Sequence, residues 1–414
     1  MKVSAIIAEY NPFHMGHAYQ IREVRARSAC DYLIVLMSGD FVQRGTPAVF
    51  DKFTRAEMAA RCGADLVLQL PLAAACGSAD RFAEGAVCLL NRLGVVDELW
   101  FGSECGEIEP FLSCAKLLAG ESPAYAEALK RALKQGLCFP AAREAALKSA
   151  GFPDGSHLHD LLSLPNNSLG LAYCIQLKKT GSRIIPKTLK RTGAGYHDLT
   201  ADPTAGYPSA GAIRSLLLKG SARTGPAERL TGLVPDPLLP LYEQMLTESV
   251  TLTIDDFSDQ LAAQLLQETP ESLTGYLDIS EDLANRIIRH RHELKTISSF
   301  TALLKTRDRT YTSVSRALLH ILLKVRTGDG ERLRSPAFAR ILAFRPCGPL
   351  MKAIQEGNRL PLYTNPASLG DAYHKEWFAS ALYEQVQAKK SGRPVREEYR
   401  RKIAPIRAVP QPHT

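Results

Sequence analysis

The nine cysteines of this 414-residue chain include no C-x-x-C pair, which removes the commonest zinc and dithiol signatures. Most lie in apolar stretches such as Ala75-Cys76 and Val87-Cys88 and read as small buried hydrophobes of a reducing compartment. None stands in a recognisable nucleophile context. The longest apolar stretch, Ala64 to Ala79, is broken by Gln69 and Pro71 and cannot span a bilayer, so no membrane partner is expected. No basic region followed by an apolar run and a small-residue cleavage site opens the chain, and a cytoplasmic location is the expectation. Internal repeats, low-complexity segments and a carboxylate pair that would declare a metal site are also missing.

What is present is ordinary globular material, 45% hydrophobic and 23% charged, in a chain too long for one compact core. The net charge of +8 favours a polyanionic partner. From Lys375 onward there are nine Lys or Arg against four Asp or Glu, so +5 lies in the last 40 residues. That end, with Arg400 and Arg401, is a candidate phosphate-backbone contact. Composition alone fits a solvated basic end equally well.

Up to about residue 220, short β-branched runs alternate with helical patterns, the signature of a parallel sheet covered by crossover helices. Lys2 to Glu9, Tyr32 to Met37, Asp65 to Leu70, Glu98 to Phe101 and Arg183 to Leu189 read as strands buried on both faces. Pro186 marks the last as an edge or irregular strand. Helices are expected at about 17 to 29, 52 to 62 and 79 to 93, with a helical insertion at about 109–150. Beyond about residue 220 the strand signal fades and helical patterns dominate, with a return to short strands near Pro361 to Tyr363. The expected fold class is α/β. It comprises a Rossmann-like parallel-sheet nucleotide domain over 1–220 and a mainly helical region over 221–414.

The strongest chemical signal is Ala8-Glu9-Tyr10-Asn11-Pro12-Phe13-His14-Met15-Gly16-His17, where the first strand ends and the first helix begins. In open α/β sheets, ligands sit beyond the carboxyl ends of the strands. An H-x-G-H core there has a mechanical reading. Gly16 lets the backbone approach a triphosphate, the following helix points free N–H groups at it, and the imidazoles of His14 and His17 donate hydrogen bonds to phosphoryl oxygens. Charge developing on the α-phosphate and the departing pyrophosphate would then be stabilised. A second segment, Ser209-Ala210-Gly211-Ala212-Ile213-Arg214, reads as a helix capped by Ser209, with Arg214 able to reach phosphates.

These two segments resemble the HIGH-type nucleotidyltransferases. The segments between them resemble one family in particular, the tRNA(Met) cytidine acetate ligases. They are Ser38 to Ala48 with Asp51-Lys52 and Arg55, Gly63 to Val67 with Leu70-Pro71, Phe101 to Glu104, Pro165 to Gly170, and Lys190 to Asp198. The resemblance implies a reaction that uses ATP, with Mg²⁺ as companion of the triphosphate, and acetate. Acetyl-adenylate would form, and the exocyclic amine of the wobble cytidine in elongator tRNA(Met) would take the acetyl group. It implies catalytic roles for His14 and His17 and an ATP site built from Ile7, Ala8, Glu9, Tyr10, Asn11, Pro12, Phe13, Met15, Gly16, Ala18, Tyr19, Gln20, Gly102, Asn166, Arg191 and Arg214.

Ser38 and Arg44 are candidates for the carboxylate, since an arginine at a strand-end loop can hold one bidentately. A salt-bridged surface loop explains Arg44 too. A turn glycine explains Gly102, and a cap or surface charge explains Asn166 or Arg191 taken alone. Arg316 is a candidate tRNA contact, although Ser313 stands where the family carries a first arginine, and a solvated helix residue is the plain alternative. Gly211 replaces the usual Ser or Thr of the second segment. Two other functions fit parts of the pattern. One is an adenylyltransferase acting on a small phosphorylated metabolite, and the other is a non-catalytic RNA-binding protein with a nucleotidyltransferase-like core.

Overall fold

The computed structural model describes residues 1–120, 122–137, 139–152, 158–191, 207–218, 229–357 and 360–407. The segment Thr192 to Asp198, part of one family-like motif, lies outside these residues. A seven-stranded sheet forms the frame, in the order β7-β6-β1-β2-β5-β8-β9. Its strands are β1 (Val3–Ala8), β2 (Tyr32–Met37), β5 (Leu66–Gln69), β6 (Glu98–Ser103), β7 (Ile185–Lys190), β8 (Ala339–Phe344) and β9 (Leu362–Tyr363). Phe41–Val42 (β3) and Thr46–Pro47 (β4) pair separately as a small antiparallel hairpin.

β1 has β2 on one side and β6 on the other, both parallel to it. The chain therefore leaves β1 in one direction for β2 and β5 and returns on the other side for β6 and β7. That reversal creates the crevice where open sheets hold ligands. β7 carries Pro186 on the sheet edge, where a missing N–H is harmless. β8 has no counterpart in the sequence reading. It runs antiparallel to β5 and brings the C-terminal half of the chain into the sheet, so that half is helical with two strands contributed to the common frame.

Alternate side chains of the central strands feed two apolar layers. Ile6, Val35 and Trp100 face α1 (Met15–Ser28) and α2 (Lys52–Arg61). A short helix, α3 (Leu72–Ala75), follows β5. On the other face, Val3, Ala5, Leu99 and Phe101 pack with α4 (Ala79–Leu93), α5 (Glu109–Ala119) and α9 (Pro165–Lys179). Each Val, Ile, Leu or Phe among them that is fully withdrawn from water contributes about 1.5–3 kcal/mol. α4 shows how the local sequence sets its limits: Ser78 caps its start, and Gly94 in the left-handed region ends it. Three helices, α5, α6 (Pro123–Lys134) and α7 (Phe139–Ser149), follow β6, and α8 (Leu158–Ser163) leads from them into α9.

The basic C-terminal end is part of the fold. Buried Lys52 Nζ donates to Glu398 Oε2 at 3.0 Å, Ser380 Oγ at 2.7 Å and Tyr373 Oη at 3.2 Å. Ile406 N–H donates to the Phe344 carbonyl at 2.8 Å, alongside β8. Removing the end after residue 390 would strip a buried ammonium of its nearer carboxylate and leave it only Asp40 at 4.0 Å, a change worth several kcal/mol.

Candidate active site

At the carboxyl end of β1 the chain turns sharply. Tyr10 adopts φ +49° and the Asn11–Pro12 peptide is cis. A bulky residue in the left-handed region costs about 1–2 kcal/mol, and burial of the Tyr10 ring against Phe13 and His17, each 4.8 Å away, holds it there. The turn is tied down from three directions. The Asn11 side-chain oxygen accepts from Val49 N–H at 2.8 Å. Tyr242 Oη donates to the Phe13 carbonyl. Met15 N–H donates to the Leu233 carbonyl at 3.0 Å.

His14 is the N-cap of α1. Its Nδ1 accepts from Gly16 N–H at 3.0 Å, while His17 Nδ1 accepts from His14 N–H at 3.3 Å, a reciprocal cap made by two imidazoles. The rings lie 3.8 Å apart. A nitrogen that accepts carries no proton, so each neutral ring holds its hydrogen on Nε2. Electrostatics keep the rings neutral. Burial, then Arg191 and Arg214, bring the His14 pKa down to about 3. Burial, then His14 and Arg191, hold His17 well below the usual histidine range. The result is two fixed N–H donors that carry no charge before the substrate arrives.

Two details differ from the sequence reading. The N–H groups of Met15, Gly16 and His17 are already bonded, to Leu233, to the His14 ring and to the His14 carbonyl. The first turn therefore offers its dipole and the imidazoles rather than free amides. A Cβ on Gly16 would lie 2.9 Å from His14 Cε1, so the glycine makes room for the ring.

Gly102, near the end of β6, likewise makes room for a side chain. A Cβ there would meet Arg191 Cγ at 3.3 Å. Arg191 continues β7 through its N–H to the Ser103 carbonyl at 2.8 Å. Gly102 and Arg191 line a cleft with His14, Gly16, His17, Tyr19, Gln20 and Tyr207. Tyr207, whose ring lies 5.1 Å from that of Tyr19, carries no signal in the sequence that marks it for this place. Ile7 and Ala8 close β1 at partial exposure, and Met15 and Ala18 stand on the first turn of α1.

Arg214 lies on α10 (Ala210–Leu218), which Ser209 caps by accepting from Ala212 N–H at 3.0 Å. Arg214 Nη1 donates to the Asn11 carbonyl at 2.5 Å. Burial lowers the Arg214 pKa, Glu9 favours its charge and Arg44 opposes it. Asn166 sits at the start of α9, where its Nδ2 donates to Glu104 Oε1 at 2.7 Å. The second Glu104 oxygen accepts from Asn167 N–H at 2.8 Å, and Asn167 Oδ1 accepts from Glu104 N–H at 2.9 Å. Glu104 thus complements the α9 N-terminus and fixes the loop after β6.

Ser38 is buried at the end of β2, its hydroxyl without a hydrogen-bond partner among the described residues, whereas Arg44 is exposed at the tip of the β3–β4 hairpin. Between them lies a residue whose role the sequence did not reveal. Fully buried Arg55 donates to the carbonyls of Glu9 at 2.6 Å, Ser38 at 3.2 Å, Phe50 at 2.9 Å, and Gly39. One guanidinium therefore holds the carboxyl ends of β1 and β2 together. Arg401 is committed to Asp51, the N-cap of α2, at 2.8 Å, and exposed Arg400 pairs with Glu397 at 2.7 Å. Burial pushes the Cys62 and Cys114 thiols up to about 12.

The HIGH Nucleotidyl Transferase family profile matches residues 1–398. A curated tRNA(Met) cytidine acetate ligase of Acetivibrio thermocellus is 36% identical over 87% of this chain and 88% of its own. One of Clostridium perfringens is 37% identical over 87% and 89%. The chain belongs to the tRNA(Met) cytidine acetate ligase family. Members of that family have been solved. The crystal structure of Thermotoga maritima TmcAL bound with alpha-thio ATP superposes with a TM-score of 0.82 at 29% identity, covering 94% of this chain and 95% of that one. Its apo form gives 0.81 at 31% identity over 96% and 90%.

Proposed function

We propose that this protein is an ATP-dependent ligase that activates acetate as acetyl-adenylate and acetylates the exocyclic amine of the wobble cytidine of elongator tRNA(Met). The observation that carries the reading is the pair of neutral imidazoles, each with an Nε2–H donor, at the topological switch point beside Arg191 and Arg214. An acetate oxygen attacks the α-phosphorus and pyrophosphate departs. His14 and His17 donate to phosphoryl oxygens whose charge rises in that step, and Arg214 and Arg191 face the leaving pyrophosphate. The cytidine amine then attacks the acetyl carbon. The N–C bond forms, the bond to AMP oxygen breaks, and the amine proton is released to solvent.

Of the residues assigned to ATP, His14, Gly16, His17, Tyr19, Gln20, Gly102 and Arg191 line the cleft, while the rest of Ile7 to Ala18 and Asn166 stand behind it, and Ser38 with Arg44 is assigned the carboxylate. Among the described residues no group of three His, Cys, Asp or Glu side chains gathers to cage a metal. Mg²⁺ would therefore enter on the triphosphate, held by phosphate and water oxygens. Unpaired cysteines fit a reducing cytoplasm, and no helix among the described residues is long and apolar enough to cross a membrane.

Relatives match over about nine-tenths of the chain, helical half included, which favours a macromolecular acceptor over a small metabolite. Incubation with ATP, labelled acetate and total tRNA, followed by nucleoside analysis, tests the reading. Label in an acetylated cytidine supports it. Absence of label from every tRNA nucleoside refutes it.

A further inference from the structure

Two segments carry the positive charge of this chain, and the structure treats them differently. At the C-terminal end, six of the nine cations are neutralised within the fold. Lys375 pairs with Asp329, Lys390 with Asp256, Arg393 with Glu384, Arg396 with Glu248, Arg400 with Glu397 and Arg401 with Asp51. Residues 286–316 hold eight Lys or Arg against two acids. There Arg286, Arg289, Lys305, Arg307, Arg309 and Arg316 make no ion pair with a carboxylate among the described residues, although Asp278 favours the charge of Arg316; Arg286 donates to a backbone carbonyl and Arg309 to a hydroxyl. Arg289, Lys305 and Arg307 are exposed.

These cations also connect to the cleft by contact. Arg44, beside Arg214, precedes Gly45, whose carbonyl accepts from Ser315 Oγ at 3.1 Å. Gly45 has φ +76°, and a Cβ on it would lie 2.7 Å from Arg316 N, so the hairpin tip rests directly on the helix Tyr311–Leu322. Arg309, just before that helix, donates to Ser280 Oγ, the cap of the helix Glu281–His290. Arg286 of that second helix donates to the Leu304 carbonyl at 3.3 Å, immediately before Lys305 and Arg307. These contacts lead stepwise from the hairpin tip to the exposed cations of the helical region.

We propose that this line, Arg44 and Arg316 through Arg309 and Arg286 to Arg289, Lys305 and Arg307, carries the tRNA phosphate backbone flanking the loop that enters the cleft. The C-terminal end contributes fold rather than RNA contact. The proposal rests on the reading that tRNA is the acceptor. Exposed Arg289, Lys305 and Arg307 release counterions when phosphates bind, whereas a C-terminal cation paired with a carboxylate must first give it up.

The test compares two variants that each lose three positive charges, Arg289→Ala/Lys305→Ala/Arg307→Ala and Lys389→Ala/Lys402→Ala/Arg407→Ala. Elongator tRNA(Met) binding is measured as a function of salt. The first variant should bind about 10²-fold more weakly near 0.15 M salt, with the slope of log K against log salt reduced by about 0.9 for each phosphate no longer neutralised. Arg289→Lys/Arg307→Lys, with Lys305 retained, should keep the wild-type slope, because a point charge suffices. Acetate-dependent pyrophosphate exchange should be unchanged in both alanine variants, and the second should bind like wild type. Equal weakening in the two, or weakening only in the second, overturns the proposal. Absence of tRNA binding by the wild-type protein instead overturns the acceptor reading.

Discussion

Replacing Gly16 with alanine tests the architecture of the histidine pair without removing either histidine. The new methyl would lie 2.9 Å from His14 Cε1 and 3.1 Å from Nδ1, with Tyr207 Cβ at 3.5 Å behind it. The backbone at position 16 is helical, so the methyl itself is well tolerated and the ring must move. Its movement breaks the 3.0 Å bond to Gly16 N–H and the 3.8 Å packing against His17. The stability effect is the loss of one helix cap, about 1 kcal/mol, leaving a folded protein. The effect on chemistry is larger. Displacing one preorganised donor from a developing oxyanion reduces turnover about 10²- to 10³-fold. The assay is acetate-dependent exchange of labelled pyrophosphate into ATP, with a urea midpoint measured on the same sample. His14→Ala combined with Gly16→Ala should be little worse than His14→Ala alone, since both act on one ring. Exchange at wild-type rate in folded Gly16→Ala would refute the claim that ring position governs catalysis.

Arg55→Met removes the donor shared by four carbonyls at the ends of β1 and β2. It should cost about 3 kcal/mol, read as a lower denaturation midpoint, together with loss of exchange. Acid stability reports the neutral histidines. His14 binds a proton near pH 6.5 when unfolded and only near 3 when folded, so stability is full above 6.5 and falls as pH drops through that window. The slope is about 1.4 kcal/mol per pH unit for each such group. His14→Asn should lessen this slope by one proton, measured by urea midpoints between about pH 6 and pH 4, and an unchanged slope would count against a neutral His14.

Much of the frame was legible because strands buried on both faces leave near-continuous apolar runs, and the H-x-G-H turn follows the first of them. The strand β8 is recognisable only once folded. Ala339 to Phe344 is a short apolar run interrupted by Arg340, and its partner β5 lies some 270 residues earlier in the chain. A local window does not report such pairing. Arg55 and Glu104 stand within family-like segments, yet their roles depend on carbonyls and helix ends that only folding brings together. Arg401 shows the reverse case. Its charge was visible in the sequence, but the Asp51 that holds it is 350 residues away, and charge composition does not distinguish a paired arginine from one free to bind phosphate.

The central claim is that acetate is activated in this cleft before any tRNA is modified, with His14 and His17 as uncharged donors to the phosphates. The direct measurement is exchange of labelled pyrophosphate into ATP by the purified protein, without tRNA, as acetate is added. The account predicts exchange that requires acetate and is lost in folded His14→Ala and His17→Ala proteins. Exchange that is absent without tRNA, or cytidine acetylation supported by acetyl-CoA with no ATP consumed, would contradict it.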